Sequence, residues 1–123
     1  MATIVVAEDD EDVHALLKIL LSAEGHQVRM ARDGVTALAL ARAGDVDIYV
    51  LDIAMPGELD GLAVTRAIRS DPELPRVPIL LLSARTRESD VRRGLAAGAD
   101  GYLVKPFDTD VMLERVQQLL RAR

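Results

Sequence analysis

The sequence predicts an α/β fold in which a parallel β-sheet carries helices on both faces. Five short apolar segments are rich in Val, Ile and Leu, as strands buried on both faces are. Segments whose apolar residues recur with helical spacing lie between them. The two kinds of segment alternate strictly along the chain, and such alternation is typical of parallel sheets built from βαβ units.

The predicted strands are four to six residues long and end at charged or turn-forming residues. They are TIVVA (3–7), QVRMA (27–31), DIYVL (47–51), VPILLL (77–82) and GYLV (101–104). Only three aromatic residues occur in the whole chain, so the core must be built from Val, Ile, Leu and Ala.

The predicted helices have recognisable starts and ends. The first has apolar residues at i, i+3, i+4, i+7 and i+8 from Val13 and ends before Gly25. The others are predicted over 34–43 with Asp33 as N-cap and Gly44 as the stop, 61–70, 87–97 and 109–121. In the last helix, acids lie at the start and Arg121 and Arg123 at the end, which suits the helix dipole.

Length and composition predict one soluble, cytoplasmic domain over residues 1–123. The chain has 123 residues and half of them are apolar, which allows one core. Its net charge of −5 argues against direct nucleic-acid binding, which normally requires a basic face. The absence of Cys excludes disulfides and thiolate metal sites. No apolar run approaches the roughly 20 residues of a membrane span, and no signal-peptide pattern precedes the first strand.

Chemically active side chains follow four of the five predicted strands. Glu8, Asp9 and Asp10 follow the first strand, Asp52 the third, Ser83 the fourth and Lys105 the fifth. In sheets of this kind, ligands bind outside the carboxyl ends of the strands. We therefore expect these side chains to meet at one edge of the sheet.

The acidic run directly after the first strand needs a positive partner, because clustered carboxylates repel one another. Glu8, Asp9 and Asp52 would form an oxygen-rich site, and Mg²⁺ suits such ligands while it shares phosphate oxygens. Lys105 would supply a second positive charge. The remaining acids of the run, 10–12, need not be ligands, because negative charge is favourable at a helix start.

Four motifs at these strand ends resemble the receiver domain of two-component response regulators. They are AEDDED after the first strand, VLDIAMP around Asp52, LLLSA ending in Ser83-Ala84, and GYLVKPF around Lys105. The resemblance covers about residues 3–121. It implies a flavodoxin-like fold, a doubly wound (βα)5 domain whose five parallel strands have the order 2-1-3-4-5.

The resemblance also implies the roles of the acidic residues. Asp52 would be the phosphoacceptor that takes a phosphoryl group from a histidine kinase or a histidine phosphotransfer protein. Asp9 would bind Mg²⁺ directly, with Glu8 nearby or acting through a water. Asp52 and the backbone carbonyl of Ala54 would complete the metal ligands from the protein.

Four further positions receive roles from the resemblance. The Ser83 hydroxyl would bond a phosphoryl oxygen, Ala84 would leave access to Asp52, and Lys105 would pair with the phosphoryl group. Tyr102 matches the switch aromatic that moves inward when Ser83 is drawn toward the phosphate. The Lys105-Pro106 bond would be cis. The surface of the fourth helix, fifth strand and fifth helix would change shape and contact an output domain or target protein. The domain itself would have only weak self-phosphorylation and self-dephosphorylation activity.

The chain departs from the pattern of the family in two places. The loop MPGELDG has two residues, Glu58 and Leu59, where the family usually has one. Only one acid, Asp100, precedes Tyr102, where one branch of the family has an acidic pair. Asp100 could pair with Arg115 across a dimer, so both a monomer and a weak, phosphorylation-dependent dimer are open.

Two other functions compete with the working receiver. A pseudo-receiver would have the same fold without phosphorylation and act as a protein-interaction module; the intact Asp9, Asp52, Ser83 and Lys105 argue against it. An aspartyl phosphohydrolase would need a second Asp where Ala54 stands. His14 and His26 are expected to be solvated. The chain could be a stand-alone regulator or part of a longer one.

Overall fold

The computed structural model describes residues 1–122, and Arg123, expected at the end of the last helix, lies outside the described residues. Strands and helices alternate through this part of the chain. The strands are β1 (Thr3–Ala7), β2 (Gln27–Ala31), β3 (Ile48–Asp52), β4 (Ile79–Ser83) and β5 (Gly101–Val104). The helices are α1 (Glu11–Ala23), α2 (Gly34–Arg42), α3 (Gly61–Ser70), α4 (Glu88–Ala96) and α5 (Thr109–Arg121).

The five strands form one parallel sheet in the order β2-β1-β3-β4-β5. β2 lies on one side of β1, whereas β3, β4 and β5 follow on the other side. The direction in which strands are added to the sheet therefore changes between the adjacent strands β1 and β3. This is the topological switch point, where ligands bind in doubly wound sheets. The predicted fold class and strand order are confirmed.

The core consists of two aliphatic layers, one on each face of the sheet. Successive strand residues alternate between the layers, so Val5 and Ala7 belong to one and Ile4 and Val6 to the other. Helices α2 and α3, together with the end of α4, cover the first layer, while α1 and α5 cover the second. Helices on both faces explain why β3 and β4 are buried along their whole length.

Aspartates begin four of the five helices. Asp10, Asp33, Asp60 and Asp108 each accept hydrogen bonds from backbone N–H groups in the first turn of the helix that follows. The predicted N-cap Asp33 is thus confirmed. Helix α4 differs, because Arg87 precedes it without a capping side-chain hydrogen bond.

Two strands are shifted from their predicted bounds. β3 is one residue later than predicted, and β4 begins after Pro78 rather than at Val77. Proline has no N–H to donate to a neighbouring strand, although its carbonyl still accepts a hydrogen bond from Tyr49. As a result, Asp52 and Ser83 are the last residues of their strands rather than the first residues after them.

Within residues 1–122, no helix combines the length and the apolar character that a membrane crossing requires.

Candidate functional site

The side chains predicted to act together lie at the carboxyl edge of the sheet. Ala7 pairs with Leu51 and Asp52 pairs with Leu82, so Glu8, directly after β1, lies beside Asp52, and Asp52 lies beside the end of β4. Ser83 pairs with Val104, which precedes Lys105. The parallel register therefore brings the carboxyl ends of four strands, β1, β3, β4 and β5, to one edge of the sheet.

Lys105 joins the two buried carboxylates of the site. Its Nζ lies 2.6 Å from Oε1 of Glu8 and 3.3 Å from Oδ2 of Asp52. Glu8 is fully buried and Asp52 is 3% exposed, whereas the Lys105 side chain is 19% exposed. Buried charges are tolerated when they are paired, and one ammonium group here faces two carboxylates.

The surroundings of Asp52 make its negative charge unfavourable. Burial raises the pKa of Asp52 most, and the adjacent carboxyl of Glu8 raises it further, while Lys105 opposes both effects. The result is a pKa raised from 3.8 to about 7. Near neutral pH the metal-free site therefore has fewer positive charges than its carboxylates require.

The charge of Lys105 is stabilised by the same neighbours. Burial lowers the pKa of Lys105, but the close contact with Glu8 and the negative charge of Asp52 outweigh burial, so the pKa is raised overall. Lys105 is thus a fixed cation at the strand ends.

Three carboxylates in the described residues are close enough to share a metal ion. Glu8, Asp9 and Asp52 each offer an oxygen, and these oxygens all lie within 4.8 Å of one another. Oε1 of Glu8 is buried, and the Lys105 ammonium at 2.6 Å is its ion-pair partner. One ammonium group faces three carboxylates here, and a donor set made only of oxygens fits a hard cation such as Mg²⁺.

The other acids of the run have different contacts. Asp10 caps α1 through hydrogen bonds from the N–H groups of Asp12 and Val13. Glu11 forms an exposed ion pair of 3.1 Å with Arg32. These residues belong to the start of the helix rather than to the carboxylate cluster.

Ser83 is buried at the end of β4, and its hydroxyl is linked to Tyr102 through the backbone of one residue, Arg85. The Arg85 N–H donates a 3.0 Å hydrogen bond to Ser83 Oγ. The Tyr102 hydroxyl donates a 3.1 Å hydrogen bond to the Arg85 carbonyl. Because Oγ accepts the bond from Arg85, the Ser83 hydroxyl proton remains available for an acceptor beside Asp52.

The loop between β3 and α3 lies along this edge of the sheet. Ala54 is exposed, and the loop is tied by hydrogen bonds from Ile53 N–H to Leu82 and from Gly61 N–H to Ile53. Of the two residues at the loop insertion, Glu58 is exposed and Leu59 is half-buried against the core. Leu59 approaches Gly34 so closely that a Cβ on Gly34 would overlap it.

The Lys105-Pro106 peptide bond is cis, as predicted.

Asp100 forms ion pairs within the chain. Its carboxylate contacts Arg69 at 2.7 Å and Arg76 at 2.9 Å and accepts a 2.9 Å hydrogen bond from the Ile79 N–H. The sequence offered Arg115 as a partner of Asp100 across a dimer, but could not reveal these nearer partners, because they come from distant elements.

Both histidines are half-buried rather than solvated, so this expectation was wrong. Nδ1 of His14 lies 3.1 Å from the Glu8 carbonyl, and the N–H of Ala2 donates a 3.1 Å hydrogen bond to Nδ1 of His26. Burial is the main cause that lowers the pKa of His26. The contact of His14 was missed, and its only signal was a position one helical turn after the N-cap of α1.

Comparisons with known proteins agree with this geometry. A family model described as the response regulator receiver domain matches residues 4–117. The phosphate regulon transcriptional regulatory protein PhoB of Rhizobium meliloti (strain 1021) is 42% identical over 118 residues, which are 96% of this chain and 52% of that protein. Response regulator MprA of Mycobacterium sp. (strain KMS) is 46% identical over 96% of this chain and 50% of its own length. The chain thus spans about half the length of these relatives.

Solved structures show the same architecture. The Francisella response regulator 1452 receiver domain superposes with a TM-score of 0.92 at 31% identity, covering 99% of this chain and 98% of that one. Chemotaxis response regulator CheY4 of Vibrio cholerae superposes with a TM-score of 0.90 at 31% identity, covering 97% and 98%. Receiver domains of this kind act in phosphorylation-dependent two-component signalling, with histidine kinases or phosphotransfer proteins as partners. The chain belongs to the response regulator receiver domain family.

Proposed function

We propose that residues 1–123 form a working receiver domain in which Asp52 accepts a phosphoryl group from a histidine kinase or a histidine phosphotransfer protein. The observation that carries this proposal is the buried arrangement of Asp52, Glu8 and Lys105 at adjacent strand ends. A carboxylate beside a fixed ammonium and an oxygen-rich cation site has the surroundings that phosphoryl transfer requires.

Asp52 would be the nucleophile. One of its carboxylate oxygens forms a bond to phosphorus while the P–N bond of the donor phosphohistidine breaks, and the electron pair of that bond goes to the imidazole nitrogen. Lys105 Nζ lies 3.3 Å from Oδ2 of Asp52, where its positive charge can neutralise charge on the transferred phosphoryl group. The Ser83 hydroxyl can donate its proton to a phosphoryl oxygen while it keeps its hydrogen bond from Arg85.

Glu8, Asp9 and Asp52 would hold Mg²⁺, together with the carbonyl of Ala54. When bound there, Mg²⁺ supplies positive charge that neutralises carboxylate and phosphoryl oxygens. The raised pKa of Asp52 is consistent with this role, because burial and the adjacent carboxyl of Glu8 make its negative charge unfavourable beside Lys105 alone.

The conformational change would pass from Ser83 through the backbone of Arg85 to Tyr102. Tyr102 lies on β5 between the site and the surface formed by α4, β5 and α5. A phosphoryl group that draws Ser83 toward Asp52 would shift this linked set between two conformations. The domain would act as a switch for an output domain or target protein, with only weak self-phosphorylation and self-dephosphorylation. Its cytoplasmic location remains a prediction from the sequence.

The test uses a small-molecule phosphodonor and intact-mass measurement. Wild-type protein and Asp52→Asn are incubated with acetyl phosphate, with Mg²⁺ or with EDTA. We expect wild type to gain one phosphate only with Mg²⁺ and Asp52→Asn to gain none. Asp12→Asn is the matched control, because Asp12 is an exposed acid from the same run and should not affect labelling. Absence of labelling in wild type, under conditions that label another receiver, would refute the proposal in favour of an interaction module.

A further inference from the structure

Helix α4 has a buried glycine in its last turn. Gly94 is the only buried residue between Glu88 and Ala96, and it lies three residues before the C-cap of the helix. Glycine in a helix interior is less favourable than alanine by about 1 kcal/mol. A close approach by another group would explain a glycine at such a position.

The group that approaches Gly94 is the ring of Tyr102. A Cβ added to Gly94 would lie 3.0 Å from Cδ2 and 3.3 Å from Cε2 of Tyr102, and 3.0 Å from Cδ1 of Leu81. These distances are shorter than ordinary van der Waals contacts between carbon atoms. The tyrosine ring therefore packs directly on the backbone of α4, in a notch that exists because residue 94 has no side chain.

We propose that Gly94 is a positioning residue for Tyr102: the notch in α4 admits the ring and thereby places its hydroxyl on the Arg85 carbonyl. This inference rests on the proposed function, because Tyr102 matters as a switch only if Ser83 responds to a phosphoryl group. The placement itself is a property of the unphosphorylated chain and can be measured separately.

A methyl group at position 94 would move Tyr102 rather than Leu81. Leu81 is fully buried in a central strand, between β3 and β5, and has no space to withdraw. Tyr102 is only half-buried on the outermost strand, and its hydroxyl is held by a single hydrogen bond. The ring would be displaced by at least a few tenths of an ångström, which moves its hydroxyl away from the Arg85 carbonyl and weakens their hydrogen bond.

The change would reach the proposed phosphorylation site through one residue, Arg85. The Arg85 carbonyl accepts the hydrogen bond from the Tyr102 hydroxyl, and the Arg85 N–H donates a hydrogen bond to Ser83 Oγ. If the ring is displaced, the hydrogen bond that holds Arg85 in place, in the loop that begins at Ala84, is weakened. A ligand that accepts a hydrogen bond from the Ser83 hydroxyl would then bind less tightly, because its binding must also order the loop.

The experiment is a double-mutant cycle that joins Gly94→Ala with Tyr102→Ala. The first readout is the aromatic NMR spectrum of tyrosine-labelled protein without phosphodonor; the chain has only two tyrosines, and the buried Tyr49 is an internal reference. The second is the affinity for beryllofluoride with Mg²⁺, a stable mimic of the phosphoryl group.

We expect Gly94→Ala to shift the ring signals of Tyr102 and to leave those of Tyr49 unchanged. It should weaken beryllofluoride binding by about fivefold or more, the lower end of typical coupling between two sites. In the Tyr102→Ala background the same substitution should change the affinity by less than about twofold, because the ring through which it acts is absent; such non-additivity is the mark of coupled residues.

Unchanged Tyr102 signals, or an equal loss of affinity in both backgrounds, would overturn the inference. If Gly94→Ala prevents folding, Tyr102→Ala must restore it, since it removes the ring that the methyl group meets; failure to restore folding also counts against the notch. If wild type does not bind beryllofluoride at all, the proposed function fails, while the tyrosine signals still decide whether Gly94 positions the ring.

Discussion

Replacing Asp52 by asparagine should make the metal-free protein more stable at alkaline pH. The substitution keeps the size of the side chain and removes a buried negative charge next to Glu8. Lys105 keeps its 2.6 Å contact with Glu8 in the variant. Removal of the proposed nucleophile would thus abolish phosphorylation and increase the free energy of unfolding.

The size of the effect follows from the pKa of Asp52. Its shift from 3.8 to about 7 is worth about 4 kcal/mol at most, since one pKa unit equals 1.36 kcal/mol. Water that reaches the carboxylate, and the loss of its 3.3 Å contact with Lys105, both reduce the gain. We expect Asp52→Asn to raise the free energy of unfolding by about 2 kcal/mol at pH 8.

The effect has a definite dependence on pH. Because the folded pKa of Asp52 is raised, the folded state binds a proton that the unfolded state has already lost between pH 3.8 and about 7. Wild type therefore loses stability as pH rises through this range. The advantage of Asp52→Asn should be small at pH 4.5 and largest at pH 8.

Urea unfolding at these two pH values, in EDTA, measures the difference. Glu58→Gln is the control, because Glu58 is an exposed loop acid and its replacement should change stability little at either pH. A variant that is less stable than wild type at pH 8, or a gap that does not grow with pH, would refute the electrostatic reasoning.

Two further predictions concern the carboxylate site, and a third concerns the ion pairs of Asp100. Mg²⁺ at one hundred times its dissociation constant should stabilise wild type by about 2.7 kcal/mol in urea unfolding; an equal gain in Asp9→Asn would exclude Asp9 as a ligand. Lys105→Met should destabilise the protein by about 3–5 kcal/mol at pH 8, because it leaves Glu8 and Asp52 unpaired; a smaller loss at pH 8 than at pH 5 would contradict this. Asp100→Asn should cost about 1–3 kcal/mol in thermal unfolding, since Arg69 and Arg76 lose their shared partner; an unchanged transition would show that these contacts contribute nothing.

The fold and the position of the site could be predicted because both depend on local patterns. Apolar runs and helical spacing set the order of elements, and a parallel sheet brings every strand's carboxyl end to one edge. Asp52, Ser83 and Lys105 are therefore neighbours although they are far apart in the sequence. The bounds of β4 were misjudged because Val77 is apolar, while the missing N–H of Pro78 determines where the strand begins.

The remaining features depend on contacts between elements that no local pattern encodes. The notch at Gly94 is visible only once Tyr102 of the next strand packs on α4. The partners of Asp100 come from α3 and from the loop before β4, and the burial of Leu59 depends on the start of α2. The half-buried histidines were misjudged for the same reason, because their partners lie outside their own helix or turn.

The central claim is that Asp52 is the phosphoacceptor, and the most direct measurement locates the modified residue. After reaction with acetyl phosphate and Mg²⁺, borohydride converts an aspartyl phosphate into homoserine, which peptide mass spectrometry can place in the sequence. We expect homoserine at position 52 and unmodified aspartates at positions 9 and 10. Homoserine at another acidic position, with Asp52 unmodified, would contradict it.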